Sequence, residues 1–517
     1  MQRVKNNLEK KGCDFAYLKQ NYKNIMPEVD SIMYPLISAV IVIIVSFLIR
    51  VGFHKNKPVN MKPEKRLSGK YNERALIPLS LVTIALALYA AFHIYTIVNK
   101  YASSMKPIFI FMGAWVFMQL LIAILRRPKK LKITDDCEDK YISEKYYPIV
   151  IIPVYNEDKT SLRELLESLF DQVVLPKEIH IVDDGSKEKY NDIKTWFSNK
   201  AKEMAIYTTW NYQQNQGKRE AHVTAFNKIK NNDGKNRIIL TVDSDGYLDK
   251  NAIKEGLIPF EDPEVYSVGG LMNAKNAQKN VLSRITDLIF LTTQLIDRNA
   301  MSVFGSVLVN SGALAFYRYE VVDFAIKEAK YSEETFFGSK VVFSDDSFLT
   351  FMANRFGKTV IQPTAIVFAD MPITLSHHLR QQLRWAKGQF IRGWWRFKYL
   401  DIISYGWFRH LIGQILFFMS LTIVIQLLII KPIITGHLPS LDFLLIPVFL
   451  AYTQGIRYFA IKRTDMTNSS RLLTYLISPL AVIWFALVIR IVTLYGYVTA
   501  KRTGWGTRQQ VEIVHKK

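Results

Sequence analysis

The sequence predicts an α/β domain with a mostly parallel sheet, inserted between N-terminal and C-terminal groups of transmembrane helices. Long apolar runs lie near both ends of the 517-residue chain, and short β-branched runs alternate with amphipathic stretches between them. Hydrophobic residues make up 49% of the chain, while charged residues still make up 22%. Membrane segments joined to an ordinary water-facing domain give this mixture.

The first part of the chain contains apolar runs at about Ile32–Leu48, Leu76–Val98 and Pro107–Leu125. Each run approaches the ~20 residues that a helix needs to cross the hydrocarbon core. The Arg50–Arg74 loop carries eight Lys or Arg, and the positive-inside rule places this loop in the cytosol. We therefore expect an N-terminal segment over residues 1–31 and three transmembrane helices within residues 32–125.

Residues 147–371 are predicted to form a cytosolic α/β domain. Pro148–Ile152, Glu178–Val182 and Arg237–Val242 are rich in β-branched residues and are separated by helical stretches such as Ser161–Phe170. Strands that alternate with helices indicate βαβ units and a parallel sheet. Ligands bind beyond the carboxyl ends of the strands in such sheets. Polar residues that follow these strands are therefore the candidate site residues.

Residues 372–408 are rich in Arg, Lys and Trp, which predicts amphipathic helices at the membrane surface. Residues 409–498 are predicted to form transmembrane and re-entrant helices. Their apolar runs lie at about Leu411–Ile430, Phe443–Ala460 and Leu473–Val498. The basic tail, 499–517, is expected in the cytosol, whereas three full crossings would place it outside. We favour two crossings and one re-entrant segment, broken at Pro479.

Charge and cysteine content exclude several classes of protein. The net charge of +22 suits either nucleic acid or an anionic membrane surface. Basic residues flank the apolar runs, as in Arg126–Lys132, which favours anionic membrane lipids as partners and no nucleic acid. Cys13 and Cys137 have no metal-ligand spacing, so a disulfide framework and a structural zinc site are not expected. The first ~30 residues lack the pattern of a cleaved signal peptide.

Two polar clusters follow the first two predicted strands. Tyr155 and Glu157 offer an aromatic ring and a carboxylate to a nucleobase and a ribose, although any strand-to-helix turn can end in this way. Asp183 and Asp184 form an adjacent acidic pair that a capped turn also explains. Two neighbouring carboxylates repel each other unless a cation or several donors lie close by, and this favours a ligand.

The third strand runs into Asp243 and Asp245. On a continuing strand these two carboxylates share one face, where they can approach one Mg²⁺ or Mn²⁺ that bridges the phosphates of a ligand. Between the second and third strands, Gly217 precedes Lys218 and Arg219. A Gly-Lys-Arg turn that opens a helix suits phosphate or sugar contact, and it equally suits a solvated face.

Asp345 and Asp346 form a second adjacent pair. Transfer of a group to a hydroxyl requires a base within hydrogen-bond reach, and a neighbouring carboxylate raises the proton affinity that such a base needs. A helix N-terminus with Ser344 as its cap explains the same residues, and both interpretations are compatible.

Two further clusters combine aromatic and basic residues. Gln381, Arg384 and Trp385 offer a cation and a ring to a diphosphate and a sugar, although Trp beside Arg is also ordinary membrane anchoring. Trp505 and Arg508 follow the last apolar run, where an interfacial Trp and a cytosolic Arg are expected in any case.

The order of these clusters resembles the processive membrane glycosyltransferases of family 2, which include hyaluronan, chitin and cellulose synthases. The similarity covers about Tyr147–Arg508 and is greatest to hyaluronan synthases. The shared motifs are Pro153–Asp158, Val182–Ser186, Asn215–Arg219, Thr241–Asp245, Val309–Arg318 and Trp505–Arg508. The resemblance implies a cytosolic GT-A-type domain at the plasma membrane, with UDP-sugar donors, Mg²⁺ or Mn²⁺ as cofactor and a growing polysaccharide as partner.

The resemblance also implies a role for individual residues. The UDP-sugar would be bound by Tyr155, Glu157, Asp184, Lys218, Arg219, Asp243, Trp505 and Arg508. The metal would be held by Asp245 and Asp243, and Asp346 would be the catalytic base with Asp345 beside it. The acceptor and the diphosphate would be held by Gln381, Arg384, Trp385, Ser311 and Gly312.

Two departures from the hyaluronan synthase pattern leave the sugars open. Those enzymes usually read Gly-Asp-Asp-Arg around the base, whereas this chain has Ser344–Ser347. After the Arg-Trp pair they usually continue with a Lys-Ser and an Arg-Glu, whereas this chain has Ala386–Gly393. Both stretches are more similar to a capsular synthase that alternates glucose and glucuronate.

Four functions therefore remain open. A hyaluronan synthase using UDP-GlcNAc and UDP-glucuronate comes first. A synthase of another polymer, such as a glucose/glucuronate capsule, a chitin-like chain or poly-N-acetylglucosamine, comes second. A transport or scaffold protein without catalysis and a transferase that adds one sugar to a lipid are the remaining two. The intact acidic residues argue against the scaffold.

Overall fold

The computed structural model describes residues 67–131, 135–230 and 236–502. The predicted segment 1–31, the first predicted transmembrane run Ile32–Leu48 and the motif Trp505–Arg508 lie outside the described residues.

Twelve strands occur in the described residues. They are β1 (Gly69–Tyr71), β2 (Tyr146–Val154), β3 (Glu178–Asp183), β4 (Tyr207–Tyr212), β5 (Asn236–Thr241), β6 (Tyr247–Leu248), β7 (Val265–Ala274), β8 (Ala315–Arg318), β9 (Thr335–Phe336), β10 (Ser339–Lys340), β11 (Lys358–Ala369) and β12 (Ile461–Arg463). Eight of them form one sheet in the order β4-β3-β2-β5-β8-β7-β11-β6. All neighbours in this sheet pair in parallel except β8 and β6, which run against the others. The predicted mostly parallel sheet is confirmed.

The central strand β2 shows why this sheet forms. All nine of its residues are buried, and Ile149–Ile152 form an unbroken apolar run. A strand covered on both faces by helices needs apolar side chains on both faces, so it has no polar alternation. Helix Lys159–Phe170 covers one face with Leu162, Leu165 and Leu169, whose three- and four-residue spacing places them on one side of a helix.

The helices of the described residues extend from the membrane segments through the α/β domain. They are α1 (Glu73–Tyr101), α2 (Lys106–Leu125), α3 (Asp135–Lys145), α4 (Lys159–Phe170), α5 (Asn191–Glu203), α6 (Lys218–Phe226), α7 (Ala252–Leu257), α8 (Val281–Thr293), α9 (Asn299–Val303), α10 (Tyr319–Lys327), α11 (Asp345–Phe356), α12 (Leu375–Tyr399), α13 (Tyr405–Ile425), α14 (Lys431–Thr435), α15 (Leu445–Gly455), α16 (Asn468–Leu476), α17 (Ser478–Trp484) and α18 (Arg490–Val498). Single π-helical turns join α8 to α9, α13 to α14 and α17 to α18.

Five helical segments of the described residues are long and apolar enough to cross a membrane. They are Glu73–Tyr101, Ser103–Leu125, Tyr405–Thr435, Leu441–Ala460 and Ser478–Val498. The first four contain the predicted apolar runs of these regions, and the fifth contains all of the run Leu473–Val498 except its first five residues. The last run is interrupted before Pro479, as expected, because α16 ends at Leu476 and Pro479 lies in the first turn of α17. The 21 residues that follow the break still reach the length of a crossing segment.

The region 372–408 differs from its prediction. One helix, α12, accounts for most of it, and Tyr405 already begins the next apolar helix, α13. Ser404 ends the connection between them, because its hydroxyl accepts a hydrogen bond from the Trp407 backbone N–H and caps α13. The region therefore contains one amphipathic helix and not several.

The membrane segments are tied to the α/β domain at their basic ends. The short strand β1, just before α1, pairs antiparallel with β12, which follows the Leu441–Ala460 segment. The Ser68 hydroxyl donates to Asp249 of the α/β domain at 2.7 Å. At the end of α2, the Arg126 guanidinium donates to the Ile361 carbonyl of β11 at 2.8 Å. The α/β domain therefore lies on the side where the basic residues flank the helices.

Candidate active site

The candidate residues that follow three neighbouring strands all line one cavity of about 1420 Å³. Tyr155 and Glu157 follow β2, Asp184 follows β3, and Asp243 with Asp245 follows β5. These strands are adjacent and parallel, so their carboxyl ends meet at one edge of the sheet. The sheet topology therefore brings together side chains that are up to 90 residues apart in sequence.

Glu157 holds the turn between the two aspartates that follow β5. Its carboxylate accepts a hydrogen bond from the Ser244 hydroxyl at 2.7 Å, and the residue is only 6% exposed. β5 ends at Thr241 and Ser244–Asp245 form a turn. The prediction that Asp243 and Asp245 share one face of a continuing strand is therefore wrong. They reach the same cavity because the chain turns between them.

Asp184 joins the loop after β3 to the start of α6. Its carboxylate accepts the backbone N–H groups of Gln216 at 3.0 Å and Gly217 at 2.8 Å, and the side-chain amide of Gln213 at 2.7 Å. Gly217 has a φ of +98°, a backbone conformation that residues other than glycine rarely adopt. Burial raises the pKa of Asp184. This carboxylate therefore fixes the Gly-Lys turn beside the cavity.

Lys218 lies between two of the candidate carboxylates. Its ammonium is 2.7 Å from Asp243 Oδ1 and 2.8 Å from Asp345 Oδ2. Burial acts to lower the pKa of Lys218, but the two aspartates outweigh it and hold this pKa above its usual value. Lys218 is therefore charged and connects the turn after β5 to the start of α11.

Asp345 and Asp346 begin α11 in different electrostatic states. Burial acts to raise the pKa of Asp345, but the Lys218 ammonium outweighs it and holds this pKa below its usual value. Burial and the neighbouring Asp345 carboxylate both raise the pKa of Asp346. A pair of carboxylates with separated pKa values is typical of general acid–base sites.

Ser344 does not cap α11 through its side chain, contrary to the alternative interpretation of this turn. It has a φ of +63° and makes no capping hydrogen bond to a backbone N–H. Its hydroxyl is instead 2.5 Å from the Ser347 hydroxyl. A Cβ atom at Gly388 would lie 2.6 Å from Ser344 Oγ. Ser344 and Gly388 belong to the two stretches that depart from the hyaluronan synthase pattern, so these departures meet in space.

The residues of α12 face the same cavity from the other side. Gln381, Arg384 and Trp385 all line it, and the Trp385 ring meets the Phe290 ring edge-on at 5.2 Å. Ser311 and Gly312, in the loop before β8, also line it. A Cβ atom at Gly312 would lie 3.3 Å from the Lys218 ammonium, so glycine allows the close approach of this lysine.

Arg219 is oriented differently from its prediction. It does not line the cavity, and it is only 3% exposed. Its guanidinium is bound to the Glu334 carboxylate at 2.8 Å and to the Phe343 carbonyl at 2.7 Å. Arg219 therefore supports the loop that precedes the acidic pair, and it is not placed to touch a donor in this structure. Trp505 and Arg508 lie outside the described residues.

The cavity continues from the sheet edge to the apolar helices. Its lining includes Phe417 of α13, Gln454 of α15, Ala481 of α17 and Thr493 of α18. Four arginines also line it: Arg298, Arg396, Arg409 and Arg490. Asp297, 3.4 Å from Arg409, is an acidic residue among them. One continuous space therefore connects the carboxylates at the sheet edge with the segments that are long enough to cross a membrane.

Family comparisons identify the class of this chain. Residues 149–324 match the family described as glycosyl transferase family 2, and residues 238–498 match glycosyl transferase family group 2. This chain belongs to the family 2 glycosyltransferases. The hyaluronan synthase of Streptococcus pyogenes serotype M1 is 35% identical over 373 residues, which are 71% of this chain and 84% of that protein. An N-acetylglucosaminyltransferase of Azorhizobium caulinodans is 33% identical over 243 residues, 47% of this chain and 59% of that protein.

Two solved structures match this glycosyltransferase at low sequence identity. A mannosyltransferase of Pyrobaculum calidifontis, solved with GDP-Man and Mn²⁺, is 15% identical and has a TM-score of 0.47. It covers 78% of this chain and 99% of its own. TarS 1–349 of S. aureus, solved with UDP-GlcNAc, is 16% identical and covers 69% of this chain and 91% of its own, with a TM-score of 0.35. The family assignment rests on the sequence matches and not on these structures.

Arg298 and Asp370 are two charged cavity residues of this glycosyltransferase that were not among the predicted site residues. Arg298 lies in the π-helical turn after α8, and the charge of Asp346 acts on its guanidinium. Asp370 directly follows β11 and lines the cavity. Strand β11 pairs antiparallel with β6, which begins two residues after Asp245. The rule that ligands bind beyond strand ends would have selected Asp370. Arg298 lies inside a largely apolar helical stretch. Its position near Asp346 follows only from the three-dimensional fold.

Proposed function

We propose that this enzyme polymerises sugars from UDP-sugar donors and passes the growing polysaccharide through the membrane along the cavity. UDP-GlcNAc and UDP-glucuronate are the proposed donors, so hyaluronan is the proposed product. The observation that carries the proposal is the continuous cavity, which joins the acidic sheet edge to α13, α15 and the α17–α18 segment. A transferase that adds one sugar to a lipid has no need for such a passage.

The proposed transfer is a single displacement. The acceptor hydroxyl attacks the anomeric carbon of the donor, the bond from that carbon to the diphosphate breaks, and the hydroxyl proton passes to Asp346. UDP leaves, and one displacement inverts the anomeric centre. The raised pKa of Asp346 suits a base that must take up this proton. Lys218 and Arg384 line the same cavity and would hold the anionic diphosphate.

A divalent cation fits the turn after β5. No group of three or more His, Cys, Asp or Glu that could hold a metal ion occurs among residues 67–131, 135–230 and 236–502. Mg²⁺ typically uses only one or two protein carboxylates, and waters and substrate phosphates complete its coordination. Asp243 and Asp245 offer that number of oxygen ligands on one cavity. Mg²⁺ or Mn²⁺ would supply the positive charge that stabilises the departing diphosphate.

The charge of the passage supports an acidic product. Arg298, Arg396, Arg409 and Arg490 line the cavity. Burying cations beside a neutral polymer is costly, whereas a carboxylate on alternate sugars compensates for them. We therefore favour a polymer that contains uronate over a chitin-like chain or poly-N-acetylglucosamine.

A capsular polymer of glucose and glucuronate is the second candidate. The departures at Ser344–Ser347 and Ala386–Gly393 favour it, and the contact between Ser344 and Gly388 makes the two departures one local change beside the base. Both candidates contain glucuronate, so the arginines do not separate them. The identity of the second donor distinguishes the two products.

The deciding experiment uses the full chain, purified and reconstituted into vesicles. Labelled UDP-sugars are supplied singly and in pairs with Mg²⁺, with Mn²⁺ or with a chelator. We expect a long polymer only with UDP-GlcNAc plus UDP-glucuronate and only with a divalent cation, and we expect hyaluronidase to cut it. A polymer from UDP-glucose plus UDP-glucuronate establishes the second candidate. Products of one added sugar, or polymer without uronate, contradict the proposal.

We propose that the enzyme lies in the plasma membrane, among anionic lipids, with its α/β domain in the cytosol. The contact of Arg126 with the α/β domain supports this orientation, because basic helix ends remain in the cytosol. A single cysteine at Lys501, in a chain with Cys13 and Cys137 replaced by serine, tests it. We expect an impermeant thiol reagent to label this cysteine only after cells are opened. Labelling of intact cells would overturn the orientation.

A further inference from the structure

A buried charge cluster lies behind the candidate site. Arg219, Glu334 and Arg392 are 3%, 6% and 1% exposed. Glu334 Oε2 accepts hydrogen bonds from Arg219 at 2.8 Å and from Arg392 at 2.9 Å. None of the three lines the cavity. The cluster is therefore separate from the groups that would touch donor or acceptor.

Each member of the cluster belongs to a segment that carries candidate site residues. Arg219 directly follows Lys218, at the start of α6. Arg392 lies on α12, seven residues or about two helical turns beyond Trp385. Glu334 lies in the loop between α10 and β9, from which the chain continues to the acidic pair. One carboxylate thus joins three segments that approach the cavity from different directions.

Further contacts of the two arginines fix the start of α11. Arg219 donates to the carbonyls of Phe343 at 2.7 Å and Ser344 at 3.3 Å, the two residues before Asp345. The guanidiniums of Arg219 and Arg392 lie 5.2 Å and 4.8 Å from the Phe348 ring centre, on the next turn of α11. The arginines therefore hold both the backbone before the acidic pair and the helix after it.

The charges of the cluster make it depend on Glu334. Two buried guanidiniums share one carboxylate, so removing that carboxylate leaves two like charges facing each other away from water. The two arginines would then separate or draw in water. Either response moves α6, α11 or α12, and each of these helices carries residues that line the cavity.

We propose that Glu334 is a positioning residue, which sets Lys218, the Asp345–Asp346 pair and the Gln381–Trp385 stretch in one geometry for sugar transfer. This inference rests on the proposed function, because it assigns the geometry to that reaction. Displacements of about 1 Å at reacting groups cost as much as 100-fold in rate. The chemical step should therefore suffer more than donor binding, which depends mainly on the strand-end residues.

The test compares Glu334→Gln with Glu333→Gln in the full chain. Glu333 is the adjacent residue in sequence and is exposed, so the same substitution there is a matched control. We expect Glu334→Gln to lower kcat about 30-fold per folded enzyme, with the KM for each UDP-sugar within about 3-fold of the unsubstituted enzyme. Glu333→Gln should keep both constants. Equal kcat in the two variants, after correction for the folded fraction, would overturn the proposal.

Two further variants keep the test decisive if Glu334→Gln does not fold. Glu334→Asp keeps the charge but is one methylene shorter, so we expect kcat to fall about 5- to 10-fold with KM unchanged; an unchanged kcat would refute the inference. The double variant Glu334→Gln with Arg392→Gln removes one positive charge together with the carboxylate, and we expect it to fold and to have a higher kcat than Glu334→Gln, or a measurable kcat where Glu334→Gln has none. If the unsubstituted enzyme and Glu333→Gln transfer no sugar, the proposed function itself has failed.

Discussion

The two ends of the cavity carry opposite charges. At the sheet edge, Asp184, Asp243, Asp245 and the Asp345–Asp346 pair line the space. Towards the apolar helices the lining is largely apolar and includes Arg409 and Arg490, with Asp297 beside Arg409. At the acidic end, the Asp184 carboxylate accepts a backbone N–H and Asp243 is paired with Lys218. At the other end, the Arg490 guanidinium lies 5.3 Å from the centre of the Phe417 ring.

This difference separates two tasks within one space. A cluster of carboxylates binds a nucleotide diphosphate only when a cation mediates the contact, so the acidic end suits a metal-bound donor. The arginines at the other end repel a metal and attract carboxylates. An acidic polymer would therefore be released from the donor end and retained by the arginines. The following predictions test this division, from the largest expected effect to the smallest.

Asp346→Asn should abolish sugar transfer. The amide keeps the shape of the side chain but takes up no proton, and loss of a general base costs about 100- to 10,000-fold in rate. Donor binding should remain within a few-fold, because it depends on the acidic strand ends. Polymer formation and UDP binding, measured on the same preparation, check both statements. Asp192→Asn, on the exposed side of α5, is the matched control, and full activity of Asp346→Asn would remove this residue from the role of base.

Asp245→Ala should weaken metal-dependent binding of the UDP-sugar about 100-fold, the equivalent of about 3 kcal/mol. The alanine removes one of two proposed oxygen ligands, and the remaining Asp243 is already paired with Lys218. Titration of the donor with and without Mn²⁺ measures the effect. If binding with Mn²⁺ is unchanged in this variant, the metal lies elsewhere and the acidic end has another task.

Much of the acidic end was predictable from sequence. Glu157, Asp184, Asp243 and Asp245 each follow an apolar strand of the parallel sheet, and the carboxyl ends of such strands share one edge, whereas Asp345 and Asp346 begin a helix. The prediction was wrong where it assumed that β5 continues beyond Thr241, because the turn at Ser244–Asp245 and its bond to Glu157 depend on a residue from another strand. The predicted helix cap at Ser344 was also wrong, since this residue has a φ of +63° and its hydroxyl lies against the Ser347 hydroxyl.

The basic end was less predictable. The arginines of the cavity lining come from α12, α13, α18 and the turn after α8, so their meeting depends on how helices pack and not on a local pattern. Arg219 is a second arginine whose contacts were not predictable from the local sequence. A cation after a glycine at a helix start suggested phosphate contact, yet the burial of its side chain against Glu334 is set by residues more than 100 positions later. The local sequence indicated a positive charge at this position but not which way the Arg219 side chain points.

Gly388→Ser should lower activity about 10-fold, and Ser344→Gly in the same chain should restore most of it. A Cβ atom at 388 would lie 2.6 Å from Ser344 Oγ and 2.8 Å from Ser344 Cβ, both of which glycine at 344 lacks. Such overpacking typically costs about 1–3 kcal/mol. Glycine also suits the positive φ at 344. Rates and thermal unfolding of both single variants and the double variant measure the coupling; additive effects would mean that the two positions act independently.

Arg490→Gln should shorten the polymer about 2- to 5-fold and leave the initial rate of UDP release nearly unchanged. An isolated contact between opposite charges is worth about 0.2–1 kcal/mol where water has access, so the effect on retention should be small. Arg490 lines the cavity far along the chain from the acidic residues and touches Phe417, so the chemical step should not depend on it. Lys501→Gln, an exposed cation just beyond the same helix, is the control. Polymer length is measured by gel filtration of the labelled product. A slower UDP release with polymer of normal length would contradict the division of the cavity, because a cation of the passage would then be acting on the transfer itself.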